Sequence, residues 1–281
     1  MARFSMNEMT TYRWSFEEDV ARYVEAGIEA IGVWRQKLSD FGEFKGVDLL
    51  AESGLAVSNL LWAGGFTGSD GRTYREAVDD AEEAISLAAS MQAGCLIVYS
   101  GARNGHTHNH ARRLICTALK ELAVVAGDME VTLAVEPMHA GCAEQWTFLT
   151  DLDDTLELLQ EVGSRRVKLA LDTYHMGHDR AIFDRLPELV DDIAIVHLGD
   201  SRQLPHDEQD RCPLGDGIVP LDEIVPALID AGYIGDFDVE LIGEEIETSS
   251  YTDLLGHSRR VFEDLIHRRP VGVSGAKVKT D

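Results

Sequence analysis

The sequence predicts a single-domain α/β protein, a closed (β/α)8 TIM barrel, and three observations carry that prediction. Short β-rich runs alternate with longer amphipathic stretches from end to end, giving eight β/α units in 281 residues, the count and size of such a barrel. Most of the β-rich runs are nearly continuous apolar segments, as strands buried on both faces must be. The first run is followed by Glu8-Met9-Thr10-Thr11-Tyr12, not by the G-x-G-x-x-G turn that opens a dinucleotide-binding, doubly wound sheet.

Taken in order, strands are expected at Phe4–Asn7, Ala30–Trp34, Ala56–Leu61, Cys95–Ser100, Val131–Glu136, Val167–Asp172, Ile193–His197 and Phe237–Leu241. Helices are expected at Phe16–Ala26, Gly46–Ser53, Tyr74–Gln92, Asn109–Gly127, Leu152–Val162, Ala181–Leu186, Leu221–Ala231 and Tyr251–His267. Several end in a glycine suited to the left-handed position after a helix, as at Gly27, Gly54 and Gly232. No linker or low-complexity stretch divides the chain, so the barrel is expected over residues 1–270, with 271–281 a loosely held tail.

Apolar residues make up 44% of the chain, enough for a packed interior. Fifty acidic against 25 basic residues leave a formal charge of −25, which repels phosphate backbones and anionic membranes. The basic residues form only short pairs such as Arg165–Arg166 and Arg268–Arg269, so neither nucleic acid nor membrane is an expected partner. Met1-Ala2-Arg3-Phe4-Ser5-Met6 has no apolar signal-peptide core, and the apolar runs fall short of the roughly 20 residues of a membrane helix. Cys95, Cys116, Cys142 and Cys212 are scattered without a C-x-x-C pair. They fit a reducing, cytoplasmic setting, with neither a zinc ribbon nor a disulfide frame.

Catalytic groups of such barrels sit where strands end and βα loops begin. The last four strands each finish in a potential metal ligand: Glu136 after Leu133-Ala134-Val135, Asp172 after Leu169-Ala170-Leu171, His197 after Ile195-Val196, and Glu240 after Asp238-Val239. A polar group that closes an apolar strand is costly to bury unless it is paired or ligated. Three carboxylates and one imidazole on neighbouring strands form a hard site suited to Mn²⁺, Co²⁺ or Mg²⁺, with Zn²⁺ also compatible.

Glu136-Pro137-Met138-His139, Leu171-Asp172-Thr173-Tyr174-His175, His197-Leu198-Gly199-Asp200-Ser201-Arg202 and Gly215-Asp216-Gly217 resemble the xylose-isomerase-like TIM-barrel superfamily, and within it the sugar isomerase/epimerase branch. The resemblance covers nearly the whole chain. It implies that Glu136, Asp172, His197 and Glu240 bind one divalent metal ion, and that Glu136 and Glu240 are the acid/base pair that moves a proton on and off a sugar carbon. It implies that His175 and Arg202 contact substrate hydroxyls, and weakly that the chain forms a homodimer or homotetramer. The chemistry accords with this. Protons α to a ketone are weakly acidic, and a divalent ion gripping the carbonyl and the neighbouring hydroxyl stabilises the cis-enediolate. Two carboxylates on opposite faces then give epimerisation.

His139 either lines the substrate site or bonds its own loop. His106, His108 and His110 read as a solvated helix entry, Asp200 as a brace for Arg202 or a loop, and Trp14, Trp34, Trp62 and Trp146 as packing or as sugar-stacking rings. An endonuclease-IV-like phosphodiesterase would need added histidines where Leu60-Leu61-Trp62 and Tyr99-Ser100-Gly101 stand. A non-catalytic sugar-binding barrel would not need intact Glu136 and Glu240. The stronger alternative is a lyase that uses the same enolising site for β-elimination on a keto-sugar, inosose or 3-keto-glycoside, suggested by the long loop Pro205–Pro213.

Overall fold

Eight parallel strands close into one barrel in chain order in the computed structural model, which describes residues 2–206 and 209–268. The strands are β1 (Arg3–Asn7), β2 (Ala30–Trp34), β3 (Ala56–Gly64), β4 (Cys95–Tyr99), β5 (Leu133–Val135), β6 (Val167–Asp172), β7 (Ile193–Leu198) and β8 (Asp236–Val239). β8 pairs back onto β1 with Phe237 opposite Phe4, which closes the ring. Around it lie α1 (Phe16–Glu25), α2 (Arg35–Phe41), α3 (Glu43–Ser53), α4 (Tyr74–Ser90), α5 (His108–Asp128), α6 (Leu152–Val162), α7 (Thr173–Met176), α8 (Leu186–Leu189), α9 (Leu221–Asp230), α10 (Glu244–Thr248) and α11 (Tyr251–His267). Among the described residues no helix is long and apolar enough to cross a membrane. The expected tail at 271–281 lies outside the described residues.

The long helices start where polar side chains satisfy their first amide groups. Thr73 and Glu76 form a reciprocal capping box at α4, while Ser15, Thr107, Asp151 and Ser250 cap α1, α5, α6 and α11. The buried face of α4 runs through Ala77, Val78, Ala81, Ala84, Ile85 and Ala88. The four alanines on this face let the helix lie close against the sheet.

Five expectations need correction. The strand expected at Val131–Glu136 is confined to Leu133–Val135, so Glu136 lies just past it. The helix expected from Gly46 begins at Glu43, and α2 precedes it, entered directly from β2 with Trp34 as an N-cap that makes no side-chain bond. β3 runs three residues further than expected, to Gly64, where an added Cβ would overlap the Tyr99 carbonyl. The helix expected at 181–186 is a 3₁₀ turn, Arg180–Arg185, followed by the short α8. Pro187 at the start of α8 has no amide to continue a single helix. β8 stops at Val239, so Glu240 lies just past the strand.

Two apolar clusters build the interior. The larger packs the outer faces of the strands against the helices. The smaller fills part of the barrel's inside with Leu61, Cys95, Ile97, Ala134, Ala170 and Ile195. The other part is polar: Asn7, Asn59 and Ser58 surround Asp238, and all four are buried. Gly32 makes room there, because a Cβ would come within 2.5 Å of Asp238 Oδ2 and 2.7 Å of Asn7 Nδ2.

A second buried charge braces the first βα loop. Lys37 Nζ donates to Asp19 Oδ2 at 2.6 Å and to the carbonyls of Glu8 and Thr11. Removing the cation would leave Asp19 uncompensated in a site without water access. Lys37→Met should therefore lower unfolding free energy by about 3–5 kcal/mol, read as a fall in the guanidinium midpoint at neutral pH. A midpoint unchanged from wild type would show that the pair contributes nothing.

Candidate active site

The strand ends bring four ligating side chains to one point. His197 stands opposite Asp172 in the β6–β7 register. Glu136 and Glu240 follow β5 and β8, and each backbone amide donates to the next ladder carbonyl, Val98 O and Leu198 O, both at 3.1 Å. One ligand atom from each of Glu136, Asp172, His197 and Glu240 lies within 4.8 Å of all the others, and all four residues are buried. His197 Nδ1 is 3.1 Å from Glu136 Oε1 and 3.2 Å from Glu240 Oε2. Asp172 Oδ1 accepts from the Tyr174 and His175 amides that open α7, which leaves Oδ2 without a hydrogen bond but 3.0 Å from the Arg211 guanidinium. Three carboxylates and one imidazole nitrogen, with Asp172 Oδ2 free of hydrogen bonds, fit a divalent cation.

The electrostatics are dominated by burial and by Arg211. Its guanidinium is buried, 3.0 Å from Asp172 Oδ2 and 3.6 Å from Glu240 Oε2, and donates to Glu240 O at 2.7 Å. It also lies 4.6 Å from the centre of the Tyr174 ring. Burial alone pushes the Glu240 carboxyl up, but Arg211 and then His197 outweigh it and hold the group at about 2. Glu136 is not so compensated: burial raises it above the usual carboxylate range despite its bond to His197. Burial lowers His197, yet its two carboxylate neighbours carry it well above the ordinary imidazole value. His175 has no such partner at bonding distance, and burial takes it down to about 4.

Asp238 completes the setting from below. Its Oδ2 accepts from Asn7 and Asn59, both at 2.7 Å, and lies 3.9 Å from His197 Nε2. That nitrogen has no hydrogen-bond partner. Nδ1 is thus the ring atom that faces the cluster.

The cluster opens into a cavity of about 510 Å³. Glu136, Glu240, His175 and Arg211 line its floor, and Met138, Trp62, Tyr99 and Trp146 are among its walls. Cys142 also lines it, with Sγ 3.6 Å from His175 Nδ1.

Two residues expected to bind substrate stand elsewhere. Arg202 is exposed, paired with Glu245 at 2.7 Å, and does not line the cavity. His139 accepts from the Gly141 amide at 3.1 Å and faces His178, also off the lining. The inward cation is Arg211, nine residues further along, and the sequence carried no signal for it beyond the length of its loop. Asp238 had a signal that went unread: Asp236, Asp238 and Glu240 alternate, as inward-facing positions of a barrel strand do. Asp200 braces a loop, accepting from the amides of Gly215, Gly217 and Val219. His106, His108 and His110 have local partners in Thr67 O, Asp154 and Arg113. Trp14 packs on Tyr251 and Trp34 on Tyr12.

The chain belongs to the xylose isomerase-like TIM barrel family, whose model matches residues 20–265. It is 30% identical over 118 residues to a D-psicose 3-epimerase of Enterocloster bolteae, a match covering 42% of this chain and 36% of that enzyme. It is 24% identical over 199 residues to an inosose isomerase of Halalkalibacterium halodurans, covering 68% of this chain and 67% of the other. Among solved structures, the protein SMc04130 of Sinorhizobium meliloti superposes with a TM-score of 0.86 at 24% identity over 93% of this chain and 98% of that one. The IOLI protein, solved with a bound zinc atom, gives 0.82 at 19% identity over 94% and 98%. These two structures establish likeness of fold.

A cation at this site would displace the proton from His197, since a ligating imidazole is neutral. Without a cation the raised His197 value stabilises the fold below the ordinary imidazole range, and that contribution fades as pH rises through the folded value. Mn²⁺ binding should therefore release protons and tighten with rising pH, and His197→Ala should abolish it. Titration calorimetry in buffers of different ionisation enthalpy reads the proton count; a buffer-independent heat would exclude the exchange.

Proposed function

We propose that this family member is a divalent-metal-dependent isomerase or epimerase of a sugar or keto-sugar. The observation that carries the reading is that Glu136 and Glu240 belong to the four-residue cluster and also line the cavity above it. One geometry thus supplies both ligands and proton-transfer groups. The named activities of the two sequence relatives support the same class. Mn²⁺ suits the oxygen-rich donor set, with Co²⁺, Mg²⁺ and Zn²⁺ as competitors. When bound, such an ion stabilises the negative charge that develops on neighbouring substrate oxygens.

The chain's own groups would do the rest. Glu240, held ionised by Arg211, accepts the proton from the carbon beside the carbonyl. Glu136, which like Glu240 lies beside His197 Nδ1 and lines the cavity, is the second carboxyl and returns a proton to the carbon. His175 is neutral near pH 7 and offers its buried, unpartnered Nε2 to a sugar hydroxyl. Arg211, whose value is raised further still by the surrounding carboxylates, stays charged throughout.

Glu136→Gln and Glu240→Gln keep the side-chain size and one ligating oxygen but remove the proton-transfer group. Turnover should fall by at least about 10²–10⁴-fold in each, while sugar binding persists. In D₂O one variant should still exchange the substrate proton from the face served by the surviving carboxylate, without net product. His175→Ala should act chiefly on KM. The test is a panel of ketoses followed by NMR; near-normal turnover in both glutamine variants would refute the acid/base assignment.

A further inference from the structure

The Cys142 thiol lines the cavity and has a partner on each side. Cys142 closes the turn that follows Glu136: its amide donates to His139 O at 3.0 Å, and its Sγ lies 3.5 Å from the same oxygen. Gly141 lets this turn sit against a neighbouring loop, because a Cβ there would overlap the Pro205 carbonyl. On the other side, Sγ is 3.6 Å from His175 Nδ1. Sulfur is a weak donor and a weak acceptor, so each contact has a direction to be found.

A carbonyl oxygen only accepts, so the contact with His139 O is a hydrogen bond when the thiol donates to it. The thiol has a single hydrogen, and Sγ must then accept on its other side, from Nδ1–H of His175. The opposite arrangement, S–H to Nδ1, forms one bond in place of two. Burial pushes the Cys142 thiol up to about 11, so it keeps its hydrogen at neutral pH and makes no ion pair with the imidazole. A neutral ring carries one proton. With that proton on Nδ1, Nε2 holds a bare lone pair, and Nε2 is buried without a partner on a ring of the cavity floor.

We propose that Cys142 is a positioning residue that holds His175 in the Nδ1–H tautomer, so that Nε2 accepts a hydrogen bond from a substrate hydroxyl. The substrate contact rests on the function proposed above, whereas the Cys142–His175 bond stands without it. A buried acceptor left unpaired is costly, so a hydroxyl that donates to Nε2 is favoured over an ether oxygen, which has no hydrogen to give.

Nitrogen-15 NMR of the full-length Mg²⁺-loaded protein, labelled at its histidine rings, reads the tautomer, since protonated and bare ring nitrogens resonate far apart. The His175 signals are those lost in His175→Gln. The wild-type protein should show Nδ1 protonated and Nε2 bare; a protonated Nε2 overturns the proposal, and this reading needs no variant of Cys142. Cys142→Ala removes the acceptor and should move the ring toward Nε2–H. Cys142→Ser keeps a donor and an acceptor and should return most of the Nδ1–H form. A ring unchanged in Cys142→Ala shows that another group sets the tautomer, and the proposal falls. With Mn²⁺ and fructose, tagatose, sorbose and psicose as substrates, Cys142→Ala should raise KM about three- to tenfold, the loss of one uncharged hydrogen bond. Cys142→Ser should lower it again, with kcat within about twofold throughout. If the tautomer shifts while KM keeps its wild-type value, Nε2 meets no substrate hydroxyl and the substrate contact is overturned. If no ketose turns over or exchanges its α-proton for deuterium, the proposed function fails, and the spectra by themselves still decide the Cys142–His175 bond.

Discussion

Three carboxylates crowded around one imidazole at the end of an apolar barrel are the constraint on which the rest of the site depends. Like charges buried within 4.8 Å of one another repel strongly where solvent cannot screen them. Two cations answer this in the chain itself, Arg211 beside Asp172 and Glu240, and a protonated His197 between Glu136 and Glu240. Three negative charges against these two leave the cluster one charge short of neutral. A divalent ion that took the place of the imidazolium proton would make the sum zero, with Arg211 supplying one positive charge and the ion two.

That balance holds only if His197 points the correct nitrogen inward, and the barrel interior is organised to make it do so. Asp238 lies under the ring, fixed by Asn7, Asn59 and Ser58 from β1 and β3. Gly32 keeps β2 from filling the space they occupy. At 3.9 Å from Nε2 the Asp238 carboxylate makes no hydrogen bond to the ring, but its negative charge favours a positive imidazole above it. The split of the barrel interior follows from this need. One part is given to polar support for His197, and the apolar part, through Leu61 and Ile97, continues into the cavity wall.

Much of the fold and half of the site were legible in the sequence, and the reasons differ. Strands buried on both faces leave long apolar runs, so all eight were visible. Their ends blurred where pairing stopped for geometric reasons, as at Val135 and Val239. Glu136, Asp172, His197 and Glu240 stood out because each interrupts an apolar strand at its end. Arg202 and Arg211 illustrate what was hidden. Both lie in one long loop region, and their spacing does not say which is turned inward. That choice is made by tertiary bonds: Arg211 N donates to Ile242 O at 2.7 Å and Cys212 N to Asp200 O at 2.9 Å. α2 was invisible for a related reason, since it starts without a capping side chain and is held by packing against its neighbours.

The bonds that strap the Arg211 segment down tie the acid cluster to the cavity lining. They anchor it to the ends of β7 and β8, the strands that deliver His197 and Glu240. Arg211 is at once the counter-ion that keeps Glu240 ionised and part of the cavity lining that a substrate would meet. A change in this segment that reshaped the pocket for a new substrate would also shift the charge balance of the acid cluster. The aromatic wall carries no such penalty, because Trp62, Tyr99 and Trp146 hold no charge and touch none of the four clustered groups through hydrogen bonds. The aromatic side of the cavity is therefore freer to vary in sequence than the arginine beside the acid cluster.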